Sequence, residues 1–98
     1  MQRDQILAAL RPHQNELHAM GVERLLLFGP AVRDELAPDE RIDFYVEVRR
    51  PFGLFELIGL DQRLEELLEH PVHVITPEAQ SLTPERRADI MSEAVRAA

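Results

Sequence analysis

The stretch from Leu25 to Val48 constrains the fold more than any other part of the chain. It begins with an apolar run of strand length, residues 25–28, which Gly29-Pro30 interrupts. It ends with a second run, residues 42–48, which is rich in the β-branched and aromatic residues typical of strands. Alternation along this second run predicts that Ile42, Phe44, Val46 and Val48 face one side and Asp43, Tyr45 and Glu47 the other. The stretch therefore predicts two strands joined by a tight turn and a short polar segment.

The segment before this stretch has the apolar spacing of an amphipathic helix, which we predict over residues 5–20. Asp4 is a candidate for its N-cap or first-turn acid. Pro12 predicts either a kink or a new helix that starts there, because proline removes a backbone donor. Gly21 is suited to a left-handed residue that ends the helix.

The segment after the stretch predicts two more helices and one more strand. We expect a helix over 54–70 that Pro71 ends, a short strand over 72–75, and a last helix from Thr83 to about Ala94. The last helix should present Ile90, Met91, Ala94 and Val95 on its apolar face. The order helix, strand, strand, helix, strand, helix predicts an α/β (α+β) fold, with a small three-stranded mixed sheet and helices packed on it.

Length and composition favour one domain over residues 1–98. The chain has no cysteine, which excludes disulfides, thiolate zinc sites and a cysteine nucleophile. Its formal net charge of −7 counts against nonspecific nucleic-acid binding and suits a basic protein partner. No apolar run has the length of a membrane span and the N-terminus lacks a signal-peptide pattern, so we expect a cytoplasmic protein.

The turn between the two predicted strands carries a recognisable spacing. Gly29-Pro30 is followed by ten residues and then by Arg41-Ile42-Asp43. This resembles the signature of minimal nucleotidyltransferase domains of the DNA polymerase β-like superfamily, which is Gly-Ser, ten residues, then Asp-x-Asp. The segment PFGLFELIGLDQRLEELLEHPV, residues 51–72, is also similar to the helix of bacterial and archaeal members. The resemblance covers essentially the whole chain and implies the fold of that superfamily.

The same resemblance implies a degenerate site. Gly29, Arg33 and Asp43 match the pattern, and they are the residues that would contact a nucleotide if binding were retained. Pro30 stands in place of the serine and has neither N–H nor hydroxyl for a phosphate. Arg41 stands in place of the first metal-binding aspartate, and His73 in place of the third carboxylate. The resemblance therefore implies a vestigial cleft with no intact catalytic set, made of Gly29, Pro30, Arg41, Asp43 and His73.

We expect metal binding to be weakened, because Mg²⁺ prefers carboxylate oxygens and only Asp43 remains of the family's metal-binding carboxylates. Glu40 could replace a lost carboxylate, but strand alternation places residues 40 and 42 on the face opposite to 41 and 43. Since Arg41 and Asp43 would share a face, we hypothesise that they form an ion pair in place of the metal.

Three functions follow from the resemblance. The first is a degenerate nucleotidyltransferase that needs no cofactor and binds a protein, such as the HEPN-type ribonuclease toxin that minimal nucleotidyltransferases accompany as antitoxins. The second is an active enzyme that uses Mg²⁺ and ATP to transfer AMP to a protein through Asp43, Glu40 and His73. The third is a noncatalytic nucleotide sensor in which Arg41 holds phosphate. The sequence leaves self-association open.

Overall fold

A mixed sheet lies at the centre of the protein, in a computed structural model that describes residues 1–79 and 82–98. Its strands in the described ranges are β1 (Val22–Phe28), β2 (Ile42–Val48), β3 (Val72–Ile75) and β4 (Val95–Arg96). They lie in the order β3-β2-β1-β4, with β1 antiparallel to β2 and β4 and with β2 parallel to β3. The three predicted strands and the mixed α+β fold are confirmed, and the two-residue β4 is additional.

Helices cover both faces of this sheet. They are α1 (Arg3–Leu10), α2 (Gln14–Ala19), α3 (Leu54–Leu68) and α4 (Pro84–Glu93), with short 3-10 helices at Arg11–His13 and Pro30–Arg33. In the described part of the chain, no helix has both the length and the apolar run that crossing a membrane requires.

The first predicted helix is divided at the proline. Pro12 lies in the 3-10 helix Arg11–His13, so α1 ends at Leu10 and α2 begins at Gln14. Asp4 is a first-turn acid of α1. Gly21, after α2, has a φ of 104°, in agreement with the expected left-handed stop.

Two other predicted helix ends differ from the structure by one or two residues. Helix α3 ends at Leu68 rather than at residue 70, because Glu69 adopts the left-handed conformation with a φ of 51°. Helix α4 ends at Glu93, and Val95, which was predicted on its apolar face, lies in β4. The extended Ala94, with a ψ of 143°, is where the chain leaves the helix for the strand.

The core has two layers, one on each face of the sheet. The larger layer joins the sheet face of Phe44 to the three helices α1, α2 and α3, through Ile6, Leu10, Leu17, Leu60, Leu64 and Leu68. The smaller layer joins the face of Tyr45 to α4, through Leu26, Phe28, Ile75 and Ile90. Neighbouring residues of β2 thus point into different layers, as the alternation predicted, and α4 is held over the sheet by the smaller layer.

Candidate functional site

Three residues of the predicted cleft meet at one end of the sheet. In the strand register, Asp43 lies beside Phe28 of β1 on one side and beside His73 of β3 on the other. Gly29 follows Phe28 directly, so the chain leaves β1 next to the Asp43 side chain. The sheet therefore brings together Gly29, Asp43 and His73, three of the five residues that the resemblance assigns to the cleft.

Gly29 is in close contact with Asp43. It has a φ of 79°, a conformation that side-chain-bearing residues rarely adopt. A Cβ atom at this position would lie 2.6 Å from Asp43 Oδ2, well inside the contact distance. Both the backbone conformation and the available space therefore require glycine here.

Pro30 starts the 3-10 helix Pro30–Arg33 directly after Gly29. The Val32 N–H donates to the Gly29 carbonyl at 3.1 Å, and the Glu35 N–H donates to the Pro30 carbonyl at 2.9 Å. The proline thus preserves the turn while contributing no N–H of its own.

Glu93, at the end of α4, binds two of the groups that match the nucleotide-binding pattern. Its Oε1 accepts a hydrogen bond from the Gly29 N–H at 3.1 Å, and its Oε2 forms an ion pair with the Arg33 guanidinium. Arg33 also pairs with Glu35 at 3.2 Å. A carboxylate of the chain itself therefore lies where these donors would otherwise be open to an external anion.

Asp43 contacts His73 rather than Arg41. Its Oδ1 lies 3.5 Å from His73 Nδ1, and its side chain is only 26% exposed, against 52% for His73. Burial raises the pKa of Asp43, more than the nearby His73 and Arg86 lower it. The charge of Glu40 raises the same pKa a little further.

The hypothesis of an Arg41–Asp43 ion pair is wrong. Arg41 precedes the first residue of β2, where strand alternation no longer governs its direction, and it is exposed. Its charge acts instead on Asp61 of α3. Burial and the charge of Glu65 raise the pKa of Asp61, whereas the charges of Arg41 and His73 lower it. Asp61 lies near the cleft residues and was not singled out by the sequence.

Glu40 has a local partner. Its Oε1 accepts a hydrogen bond from the Ala37 N–H at 2.9 Å, within the loop before β2. Its charge still reaches Asp43, as the pKa effect shows. Among residues 1–79 and 82–98, the structure contains no group of three or more Asp, Glu, His or Cys side chains that could hold a metal ion.

Comparison with known protein families finds a match over most of the sequence. The profile of the family described as "Nucleotidyltransferase domain" matches residues 8–97. A "Putative protein adenylyltransferase" of Methanocaldococcus jannaschii is 34% identical over 73 residues, which are 74% of this chain and 74% of that protein.

Solved structures share the fold. The "Structure of putative minimal nucleotidyltransferase" superposes with a TM-score of 0.82 at 24% identity, covering 97% of this chain and 95% of that chain. The "Crystal structure of the toxin-antitoxin with AMP-PNP" gives a TM-score of 0.66 at 15% identity, covering 100% of this chain and 73% of that chain. At these identities the structural matches establish the fold alone.

Proposed function

The chain belongs to the nucleotidyltransferase domain family, and from this premise we propose that it is a catalytically silent member that acts by binding another protein. The observation that carries the proposal is the position of Glu93. Its carboxylate accepts from Gly29 N–H and pairs with Arg33, two groups that match the family's nucleotide-binding pattern. A triphosphate would have to displace this internal anion and would meet its negative charge.

The metal-binding residues support the same proposal. Mg²⁺ is usually bound in such sites by carboxylates together with substrate phosphates. Asp43 is the one carboxylate of the family pattern that this chain keeps, and its raised pKa reflects a surrounding that disfavours its charged form. The residues present do not fit a Mg²⁺ pair, so we derive no catalytic step through metal.

The partner we propose is a HEPN-type ribonuclease toxin, which the domain would block sterically as an antitoxin. Two observations support a protein partner of the toxin type, and the HEPN class comes from the family resemblance. The fold is shared with a protein from a structure described as a toxin–antitoxin complex. The net charge of −7 favours association with a basic protein surface.

Two other functions retain a specific observation in their favour. A relative named as a protein adenylyltransferase favours an active enzyme, built on Asp43, Glu40 and His73. The exposed Arg41, which makes no ion pair within residues 1–79 and 82–98, favours a nucleotide sensor that holds phosphate. Nucleotide titration and a labelling assay separate both functions from the silent one.

The deciding experiment is a calorimetric titration of the purified chain with Mg²⁺-ATP and then with Mn²⁺-ATP. We expect no binding heat and no thermal stabilisation, because Glu93 and Arg41 alter the phosphate and metal positions. Saturable ATP binding without turnover would establish the sensor instead. Transfer of label from α-labelled ATP to a co-purified HEPN protein would establish the active enzyme and refute the silent one.

A Glu93→Gln variant tests directly whether the Glu93 carboxylate blocks the cleft. The substitution keeps an oxygen that can accept from Gly29 N–H but removes the charge beside Arg33, so inorganic tripolyphosphate should bind more tightly than it binds the wild type. Glu85→Gln is the matched control, since Glu85 is an exposed residue at the other end of α4. Equal tripolyphosphate affinity of wild type and Glu93→Gln would mean that Glu93 does not block the cleft. AMP transfer by Glu93→Gln would show that the remaining residues suffice for catalysis.

A further inference from the structure

The outer face of α3 exposes large apolar side chains over its first two turns. Leu54 is 69% exposed, Phe55 87% and Ile58 44%. We call these three residues the α3 patch. Because residues three and four apart are neighbours on a helix surface, the patch is continuous rather than scattered. Single exposed apolar residues are ordinary on proteins, whereas contiguous ones mark interaction surfaces.

The second half of the same face is polar, and its C-terminal end is acidic. Residues 62 and 66 follow Phe55 by seven and eleven positions, which keeps them on one stripe of the helix, and residue 69 is the left-handed residue that follows the end of α3. These residues are Gln62, Glu66 and Glu69, and all three are exposed. At 1.5 Å per residue, Glu66 lies about 16 Å along the axis from Phe55. The face thus changes from the apolar α3 patch to a second half whose charged residues are Glu66 and Glu69, which we call the acidic half.

The acidic half keeps most of its charge free for a partner. Glu66 contacts Arg63 at 3.6 Å and its side chain remains 66% exposed. Arg63 is held mainly by Glu16 of α2, with which it makes two hydrogen bonds. Beside the patch, a Cβ at Gly59 would meet no atom within 4 Å, so another helix can approach the backbone closely there.

We propose that the outer face of α3 binds an amphipathic helix of a different protein. That helix carries large apolar side chains over the α3 patch and arginine or lysine over Glu66 and Glu69. The inference rests on the proposed function in one respect, the requirement for a protein partner, and adds the surface and the chemistry of that partner. The apolar half supplies the buried contact, and the acidic half sets the orientation of the bound helix.

A second copy of this chain fits the surface less well. Parallel pairing of two α3 helices would place Glu66 and Glu69 against the same residues of the other copy. Antiparallel pairing along the whole face would place each acidic half over an apolar patch and bury charges without partners. The net charge of −7 also opposes self-association. Charge complementarity therefore favours a basic helix from another protein.

The test uses a fluorescein-labelled synthetic helix of about 18 residues. One face of the peptide carries leucine and phenylalanine in its first half and arginine in its second half. A second peptide replaces each arginine with glutamate. Fluorescence anisotropy with the full chain should show saturable binding of the arginine peptide, weakened by added salt, and no binding of the glutamate peptide.

Variants of the chain then locate the binding surface. The double substitution Phe55→Ala with Ile58→Ala should weaken the arginine peptide by roughly tenfold or more, because exposed apolar anchors supply most of the contact. Glu66→Gln with Glu69→Gln should weaken binding and reduce its salt dependence. Glu23→Gln with Glu85→Gln makes the same charge change at exposed sites on β1 and α4 and should leave affinity unchanged. Circular dichroism checks that all variants are folded.

Several results would overturn the inference. These are absence of binding by the arginine peptide, equal affinity of both peptides, and equal affinity of wild type and Phe55→Ala with Ile58→Ala. Sedimentation velocity adds a fourth, a dimer that disappears in the same double variant, which would assign the patch to a second copy. Because the peptide assay contains no nucleotide, its failure leaves the silent-site proposal intact, and AMP transfer in the labelling assay would refute that proposal without affecting the surface.

Discussion

Gly29 combines a positive φ of 79° with a close approach to Asp43, and mutation can separate the two features. Gly29→Ala should lower the free energy of unfolding by about 1–3 kcal/mol, because the new Cβ must avoid Asp43 Oδ2 in an unfavourable backbone conformation. Urea unfolding followed by circular dichroism measures the change. Adding Asp43→Ala to Gly29→Ala should recover only the part of the lost free energy of unfolding that comes from the clash with Asp43.

Gly59→Ala is the control at the residue scale. Gly59 lies in α3 with open space where a Cβ would be added, so alanine there should stabilise the protein by about 0.5–1 kcal/mol. If Gly29→Ala were as stable as the wild type, the close approach of the turn to Asp43 would be incorrect.

Asp43 predicts a dependence of stability on pH. Because burial raises its pKa, the folded state binds the proton more tightly than the unfolded state, and ionised Asp43 opposes folding at neutral pH. Asp43→Asn should therefore be more stable than the wild type at neutral pH. The difference should shrink as the pH falls and vanish below 3.8, the value of an unperturbed aspartate.

Thermal unfolding across the acid range measures the Asp43 effect, with Asp89→Asn on the exposed face of α4 as the control. A less stable Asp43→Asn at neutral pH would mean that the contact with His73 outweighs the cost of burial. In that case the Asp43–His73 pair would be a stabilising element of the sheet edge.

At the scale of elements, Glu16 of α2 links two helices through Arg63 of α3. Arg63 and then His13 lower the pKa of Glu16 to about 2, from an ordinary 4.5. The stabilisation is therefore present above pH 4.5 and is lost as the pH falls through about 2. Glu16→Gln should destabilise the protein at neutral pH and have no effect once wild-type Glu16 is protonated.

The control for the Glu16–Arg63 pair is Glu23→Gln, which removes the same charge from an exposed residue of β1. Salt should reduce the difference between Glu16→Gln and wild type, because the pair is partly exposed. An effect of Glu16→Gln that persists unchanged at the lowest pH would point to lost packing rather than to the ion pair.

The elements that the sequence predicted are those with a repeated local pattern. The alternation of β2 and the stripe of α3 are each repeated over several residues, so both are confirmed. Strand β4 has two residues and exists because Leu26 and Leu27 of β1 pair with them, a contact that no local pattern records. Glu93 reaches Gly29 across 64 positions, so its role in the cleft is a product of the smaller core layer.

At the scale of the whole molecule, helices pack on both faces of the sheet and divide the core into two layers. The larger layer carries α1, α2 and α3, and the smaller carries α4 with Glu93. The state of the cleft therefore depends on whether α4 stays docked when the rest of the protein is folded. We expect residues 1–98 to unfold as one cooperative unit, as small domains usually do.

Tyr45 provides a probe of that cooperativity. It is the one tyrosine of a chain without tryptophan, and it is fully buried in the layer that holds α4. Its fluorescence therefore reports on the smaller layer, whereas far-UV circular dichroism reports mainly on the helices of the larger one. In a cooperative domain the two urea transitions have the same midpoint.

Ile90→Ala should lower the free energy of unfolding by about 2–5 kcal/mol, and Ile90→Val by about 0.5–1.5 kcal/mol, with the same change in both transitions. A fluorescence transition that moves alone would make α4 a separately unfolding unit, and Glu93 would then leave Gly29 and Arg33 while the sheet is intact.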